Sequence, residues 1–197
     1  MKLIRYGDLG EERPGIIDAA GGLRDLSSYL KDVNPESLGN FSLMNTLRDL
    51  NLETLPLLNP DIRLGPPVGL VGKLLCVGFN SKRHMIEMGI SPINNKDMVV
   101  FLKPSSAICG ARDPIYYARY TKKLDWEAEL GVVIGKKGKY ISKDRAKEYI
   151  FGYVCINDLS DRYWQLETGD SQYTKGKGFD NSASIGPFLV SKDEIHD

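Results

Sequence analysis

Two glutamates one residue apart, Glu127 and Glu129, alternate with Trp126, Ala128, Leu130, Val132 and Ile134 in the manner of a strand. Successive strand side chains point to opposite faces, so residues two apart share a face within ~7 Å and can converge on one ion. A solvated outer face carrying two unconnected charges is the other reading of the same pattern. A third carboxylate, Asp158, stands where the apolar run Tyr153-Val154-Cys155-Ile156 ends, the kind of place at which sheet enzymes present reactive groups. Its position before Leu159-Ser160 equally permits an N-cap. Three carboxylates without a nearby Cys or His pair select a hard, oxygen-seeking cation, so Mg²⁺, Mn²⁺ or Ca²⁺ is favoured over Zn²⁺.

Candidate proton-transfer groups are few. His84 precedes Glu87 by three residues, a spacing that stacks the two side chains on a helical turn, and a carboxylate beside an imidazole raises its basicity. An incidental surface pair has the same spacing. His196 reads as exposed. Lys175-Gly176-Lys177-Gly178 sets two lysines among glycines, which permits close backbone approach to an anion or, equally, a solvated loop. Its glycine spacing is not that of a phosphate-binding loop, and no G-x-G-x-x-G follows a strand, so nucleotide binding has no support.

The elements that must position these groups fall into two regions. Residues 2–6 and 14–18 flank the turn-rich Gly7-Asp8-Leu9-Gly10 and predict an N-terminal hairpin. Leu43, Met44, Leu47 and Leu50 follow at helical spacing, with Ser42 as the expected cap. Leu55-Pro56, Asn59-Pro60 and Gly65-Pro66-Pro67 then disfavour regular structure, which places a boundary near residue 70 between a small N-terminal domain, 1–70, and a catalytic domain, 71–197. Beyond it, residues 74–79, 98–102 and 149–156 read as strands, and 142–148 and 162–168 as short helices. The expected class is α+β and β-rich.

Composition narrows the functions. The 197 residues carry 26 Lys+Arg against 26 Asp+Glu, so no basic excess points to nucleic acid or an acidic membrane. The longest apolar runs fall well short of the ~20 residues of a membrane span. Three cysteines, Cys76, Cys109 and Cys155, in apolar surroundings predict buried thiols in a reduced, cytoplasmic protein.

Together these residues resemble the fumarylacetoacetate hydrolase family. The likeness runs through Val77-Gly78-Phe79-Asn80 leading to His84 and Glu87, Phe101-Leu102-Lys103-Pro104, and Asp125-Trp126-Glu127-Ala128-Glu129-Leu130. It continues in Asn157-Asp158-Leu159-Ser160-Asp161-Arg162-Tyr163-Trp164-Gln165, Lys175-Gly176-Lys177-Gly178-Phe179-Asp180 and Ile185-Gly186-Pro187. A Ser-x-Arg-x-x-Gln run before Lys-Gly-Lys-Gly is most similar to the branch of ureidoglycolate lyase-like and 2,4-diketo-3-deoxy-sugar-acid hydrolases.

The resemblance implies a mixed β-sandwich roll after the N-terminal domain, a homodimer, and a divalent metal, Mg²⁺ foremost, held by Glu127, Glu129 and Asp158. It further implies His84 and Glu87 on a lid that activates water, Lys177 sharing enolate charge, and Arg162 and Gln165 binding substrate. The implied reaction is hydrolysis of a carbon–carbon bond in a 2,4-diketo acid. Decarboxylation, hydration or isomerisation of related 2-oxo acids is the alternative, as is a truncated, catalytically silent metal-binding subunit. Departures from the family pattern are Ser81, where Tyr is usual, and Asn181-Ser182-Ala183-Ser184 before Ile-Gly-Pro. The resemblance also leads one to expect further strands and a Thr-Gly-Thr-Pro loop beyond Asp197.

Overall fold

A computed structural model of the chain describes residues 1–87, 89, 91, 99–168 and 173–195, apart from the side chain of residue 84. The N-terminal hairpin forms as expected from β1 (Lys2–Tyr6) and β2 (Arg13–Ile17), and β3 (Leu23–Asp25) extends it. Two short helices follow, α1 (Pro35–Leu38) and α2 (Phe41–Arg48). The cap of α2 is Asn40 rather than Ser42: the Asn40 side chain accepts from the Leu43 N–H, and the helix starts two residues earlier than a Ser42 cap implies.

β4 (Leu74–Gly78) leads into α3 (Lys82–Glu87), and β5 (Val99–Lys103) returns antiparallel to β4 as a separate two-stranded ribbon. Then come β6 (Ile108–Gly110), β7 (Leu124–Asp125), β8 (Ala128–Ile134), β9 (Ile150–Asp158) and β10 (Ser160–Asp161). The short helix expected at 142–148 is a 3₁₀ turn, Lys143–Tyr149, and the one expected at 162–168 is a wide π turn, Tyr163–Glu167. α4 (Thr174–Lys177), β11 (Ala183–Ile185) and β12 (Leu189–Ser191) complete the order.

β9 organises the main sheet. One of its edges pairs with β8 along nearly its whole length, while the other takes β12 near the start and β11 at the end. β12 passes the sheet on to β1, β2 and β3, and β11 pairs in parallel with β6, so the mixed sheet has eight strands among the described residues. Gly152 is where β12 crosses: a Cβ there would stand 1.9 Å from the Val190 carbonyl oxygen, so no other residue fits the pairing. Leu3, Ile16, Leu26, Met44, Leu47 and Leu189 pack beneath the sheet in a core shared with Phe151 and Val154 of β9.

The register of β8 decides which way its alternating pattern faces. Glu129, Gly131 and Val133 lie opposite Ile156, Val154 and Gly152, and Gly131 is buried against Ile156 and Val154. Leu130, Val132 and Ile134 are exposed instead, as is Trp126. The side of the strand that carries Glu129 therefore packs inward through Gly131 and Val133, with Glu129 itself still exposed at the end of the strand, and the apolar side faces outward. Cys155, opposite Leu130, is exposed for the same reason, which corrects the expectation of three buried thiols; Cys76 and Cys109 are buried.

Candidate metal and oxo-acid site

The acidic site forms where β8 begins and β9 ends. The strand expected to run unbroken from Trp126 is interrupted between β7 and β8, and Glu127 sits in the gap, held by its backbone. Its N–H donates to Asn157 Oδ1 at 3.2 Å, and its carbonyl accepts from the Asp158 N–H at 2.9 Å. This clamp sets Glu127, Glu129 and Asp158 side by side, with one oxygen from each within 4.8 Å of the others. An ion bound at ~2.0–2.6 Å to each oxygen spans such a triangle, and an all-oxygen donor set is what a hard divalent cation prefers. Among the described residues this is the one acidic, histidine or cysteine group with such geometry.

Basic side chains surround the triangle. Lys177 Nζ, from α4, donates to Glu127 Oε2 at 2.6 Å and to Asp158 Oδ2 at 2.8 Å, and lies 5.1 Å from the centre of the Phe101 ring. Lys103 Nζ, from the end of β5, donates to Asp158 Oδ1 at 2.5 Å and to the Leu159 carbonyl at 3.1 Å. Arg162 Nη1 donates to Glu127 Oε1 at 2.5 Å and to Gln165 Oε1 at 2.9 Å, while its other nitrogens hold Asp125. Asp158 is 1% exposed and Lys177 3%, so the solvated-loop reading of Lys177 and the N-cap reading of Asp158 both give way to buried ion pairing.

Local chain geometry brings these groups in. Asp161, buried, accepts from the N–H groups of Lys122, Lys123 and Tyr163, which pins the turn carrying Arg162 to the segment before β7. Gly176 lets α4 press on that turn: a Cβ there would lie 2.6 Å from Gln165 N and 2.7 Å from the Asp161 carbonyl. Ser182 Oγ donates to the Lys177 carbonyl at 2.8 Å and fixes the end of the helix.

The electrostatics divide the two glutamates. Burial raises the pKa of Glu127, but hydrogen bonding and charge from Lys177 and Arg162 outweigh it and hold the group below the usual glutamate range. Among the described residues Glu129 accepts no hydrogen bond from either, and burial followed by the charges of Asp158 and Glu127 outweighs the charges of Lys177 and Lys103 and lifts it above that range. A raised folded value stabilises the fold below the unfolded value, a contribution lost as pH rises through the folded value. Protons and a cation compete for Glu129, so divalent-cation affinity should begin to weaken on acidification while the pH is still above the ordinary glutamate value of 4.5. Calorimetric titration with Mn²⁺ across that range checks this; an affinity that holds until pH falls below that ordinary value contradicts it.

The expected proton-transfer pair is only partly described. His84 belongs to α3, but its side chain lies outside the described residues, as does His196. Glu87, at the end of α3, accepts from Arg83 at 3.1 Å on an exposed surface. The sequence reading missed the contributions of Lys103, Asp125 and Asp161. Lys103 was legible as a lone charge closing the apolar run of β5, in alternation with Phe101; Asp125 and Asp161 carried no comparable signal.

The family described as Fumarylacetoacetate (FAA) hydrolase C-terminal matches residues 73–197. The chain belongs to the fumarylacetoacetate hydrolase family. A protein of Burkholderia cenocepacia, named provisionally as a hydrolase, is 48% identical over all 197 residues, which span 68% of that relative. Fumarylacetoacetate hydrolase from Exiguobacterium antarcticum superposes with a TM-score of 0.80 at 31% identity, over 100% of this chain and 68% of that one. A protein of Mycobacterium abscessus described as a 2-hydroxyhepta-2,4-diene-1,7-dioate isomerase gives 0.75 at 28%, over 100% and 67%. Maleylpyruvate hydrolase from Sphingobium sp. SYK-6, whose structure holds manganese(II) and pyruvate, gives 0.77 over 100% and 69%; at 22% identity it shows the fold alone. This is a family of enzymes, with hydrolases and an isomerase among these neighbours. No helix among the described residues is long and apolar enough to cross a membrane.

Proposed function

We propose that this protein is a metal-dependent hydrolase that cleaves a carbon–carbon bond in a 2,4-diketo acid through an enolate. The observation that carries the reading is the convergence of three carboxylates within 4.8 Å, with Lys177 directly upon two of them. Glu127, Glu129 and Asp158 would hold the cation, Mg²⁺ foremost, with Mn²⁺ or Ca²⁺ as the other oxygen-seeking ions the donor set accepts. A divalent ion held there supplies Lewis acidity to the carboxylate and 2-oxo oxygens of the substrate. The manganese and pyruvate in the maleylpyruvate hydrolase structure support the same pairing of ion and 2-oxo acid.

This chain's own residues then divide the work. Arg162 and Gln165, already joined at 2.9 Å, orient the substrate carboxylate. His84, backed by Glu87, takes a proton from water, whose oxygen adds to the distal carbonyl carbon. The bond from that carbon to the central methylene breaks, and its electron pair becomes the enolate of the 2-oxo acid. The Lys177 ammonium donates a hydrogen bond to the developing oxyanion until the proton that His84 took from water is returned to the enolate carbon. The products are a carboxylate and a small 2-oxo acid such as pyruvate. The 28% likeness to an isomerase favours one second reading, in which the same enolate is reprotonated elsewhere and no bond is cut.

Acylpyruvates distinguish the two. Loss of the diketo-acid absorbance with stoichiometric release of 2-oxo acid and carboxylate, dependent on Mg²⁺ or Mn²⁺, supports the hydrolase. Isomerised substrate without cleavage supports the second reading, and no cation-dependent turnover of any oxo acid sinks both.

The homodimer belongs to the same proposal. Leu130, Val132 and Ile134 on β8, and Leu75, Val100 and Leu102 on the β4–β5 ribbon, are each apolar and exposed. Sedimentation at micromolar concentration should find a dimer. A monomer whose unfolding is cooperative and independent of concentration contradicts it.

A further inference from the structure

The two oxygens of Asp158 have unequal partners. Oδ2 accepts from Lys177, the same ammonium that donates to Glu127 Oε2, so this oxygen and Glu127 share one donor. Oδ1 contacts Lys103, whose side chain is 0% exposed and whose Nζ is tied at a second point to the Leu159 carbonyl. Lys103 is short of freedom as well as of water: it closes β5 just before Pro104, with its side chain on the same side of that strand as Phe101, the ring beneath Lys177.

Resting on the cation reading above, we propose that Lys103 is a positioning residue that sets which cation the site accepts, by committing Asp158 Oδ1 so that an ion can draw on Oδ2 alone, in place of the Lys177 ammonium that now donates to it. Mg²⁺ and Mn²⁺ take near-octahedral shells at short distances and are content with one oxygen per carboxylate, whereas Ca²⁺ gathers about six to eight oxygens and uses carboxylates in bidentate form. A buried ammonium on Oδ1 therefore penalises Ca²⁺ selectively. A merely structural Lys103, present to neutralise a buried carboxylate, predicts lost stability on its removal and no change in the ratio of the two affinities.

The test measures Mn²⁺ binding by its electron paramagnetic resonance signal, and Ca²⁺ by displacement of that Mn²⁺. The wild-type chain should prefer Mn²⁺ by at least ~10-fold, Lys103→Met should shrink that preference by ~10-fold, and Lys103→Arg, which keeps a charged donor, should restore most of it. Thermal unfolding establishes that each variant is folded; Lys103→Gln, a smaller polar replacement, carries the same comparison if the methionine variant is not. Equal wild-type affinities for the two ions overturn the inference. So does an unchanged ratio in a folded variant whose melting temperature alone has moved. Absence of Mn²⁺ binding to the wild-type chain overturns the cation reading itself, a result distinct from either.

Discussion

Asp158→Asn should abolish turnover, weaken divalent-cation binding by more than the ~10- to 100-fold seen when an outer-shell partner of a metal site is lost, and destabilise the fold by ~3–5 kcal/mol. The carboxylate is 1% exposed and is the shared acceptor of Lys103 and Lys177, so the neutral amide leaves two buried ammonium groups short of their counter-charge. Lys177 still reaches Glu127 at 2.6 Å; among the described residues, Lys103 keeps only the Leu159 carbonyl as an acceptor. Burial already holds Lys103 below its ordinary value of 10.5, opposed by Asp158, and the substitution removes that opposition. A lysine with a depressed folded value contributes stability above its unfolded value that is lost as pH falls through the folded value. The destabilisation should accordingly be smaller at the ordinary lysine value of 10.5 than at about pH 7. Denaturant unfolding at the two values reads this directly. A variant as stable as the wild type at neutral pH, or one that binds Mn²⁺ with wild-type affinity, removes Asp158 from the centre of the site.

Lys177→Met should separate chemistry from ion binding. Among the described residues the ammonium is the one side-chain donor placed on both Glu127 and Asp158, and loss of a single preorganised donor to a developing oxyanion costs ~10²–10³ in kcat. The same change deletes a positive charge that competes with an added cation for those carboxylates. Mn²⁺ binding should therefore be retained or tightened, and the rise in melting temperature on adding Mn²⁺ should exceed that of the wild type. Single-turnover rates with an acylpyruvate, set beside Mn²⁺ titration, distinguish this from simple collapse of the site. Unimpaired kcat, or loss of ion binding in parallel with activity, contradicts the role assigned to Lys177.

Local pattern carried much of the chemistry. The two-residue spacing pointed to Glu129 beside Glu127, since side-chain direction alternates along a strand, although Glu127 falls in the break before β8 and its backbone bonds to Asn157 and Asp158 are what hold it there. Likewise the apolar run before Asp158 marks a strand end without reference to its neighbours, and the fumarylacetoacetate hydrolase motifs, read in order, identify the family from sequence. The N-terminal hairpin is local for the same reason, because its turn residues and alternation lie within a few positions of each other.

Tertiary structure decided what alternation leaves degenerate. A pattern of period two specifies two faces but does not say which is inward; the pairing of Gly131 with Val154 turned the acidic face of β8 toward the site and left Leu130 and Cys155 outside. Nor does sequence distance reveal ion pairs between segments that only folding brings together. Lys103 and Asp158 are 55 positions apart, Lys177 and Glu127 50, and nothing in either neighbourhood names its partner. Glu129 and Asp158 are a property of one strand and one strand end, legible because backbone geometry is local. The cations that balance them arrive from β5, the turn after β10 and α4, and a buried charge finds its partner only through packing.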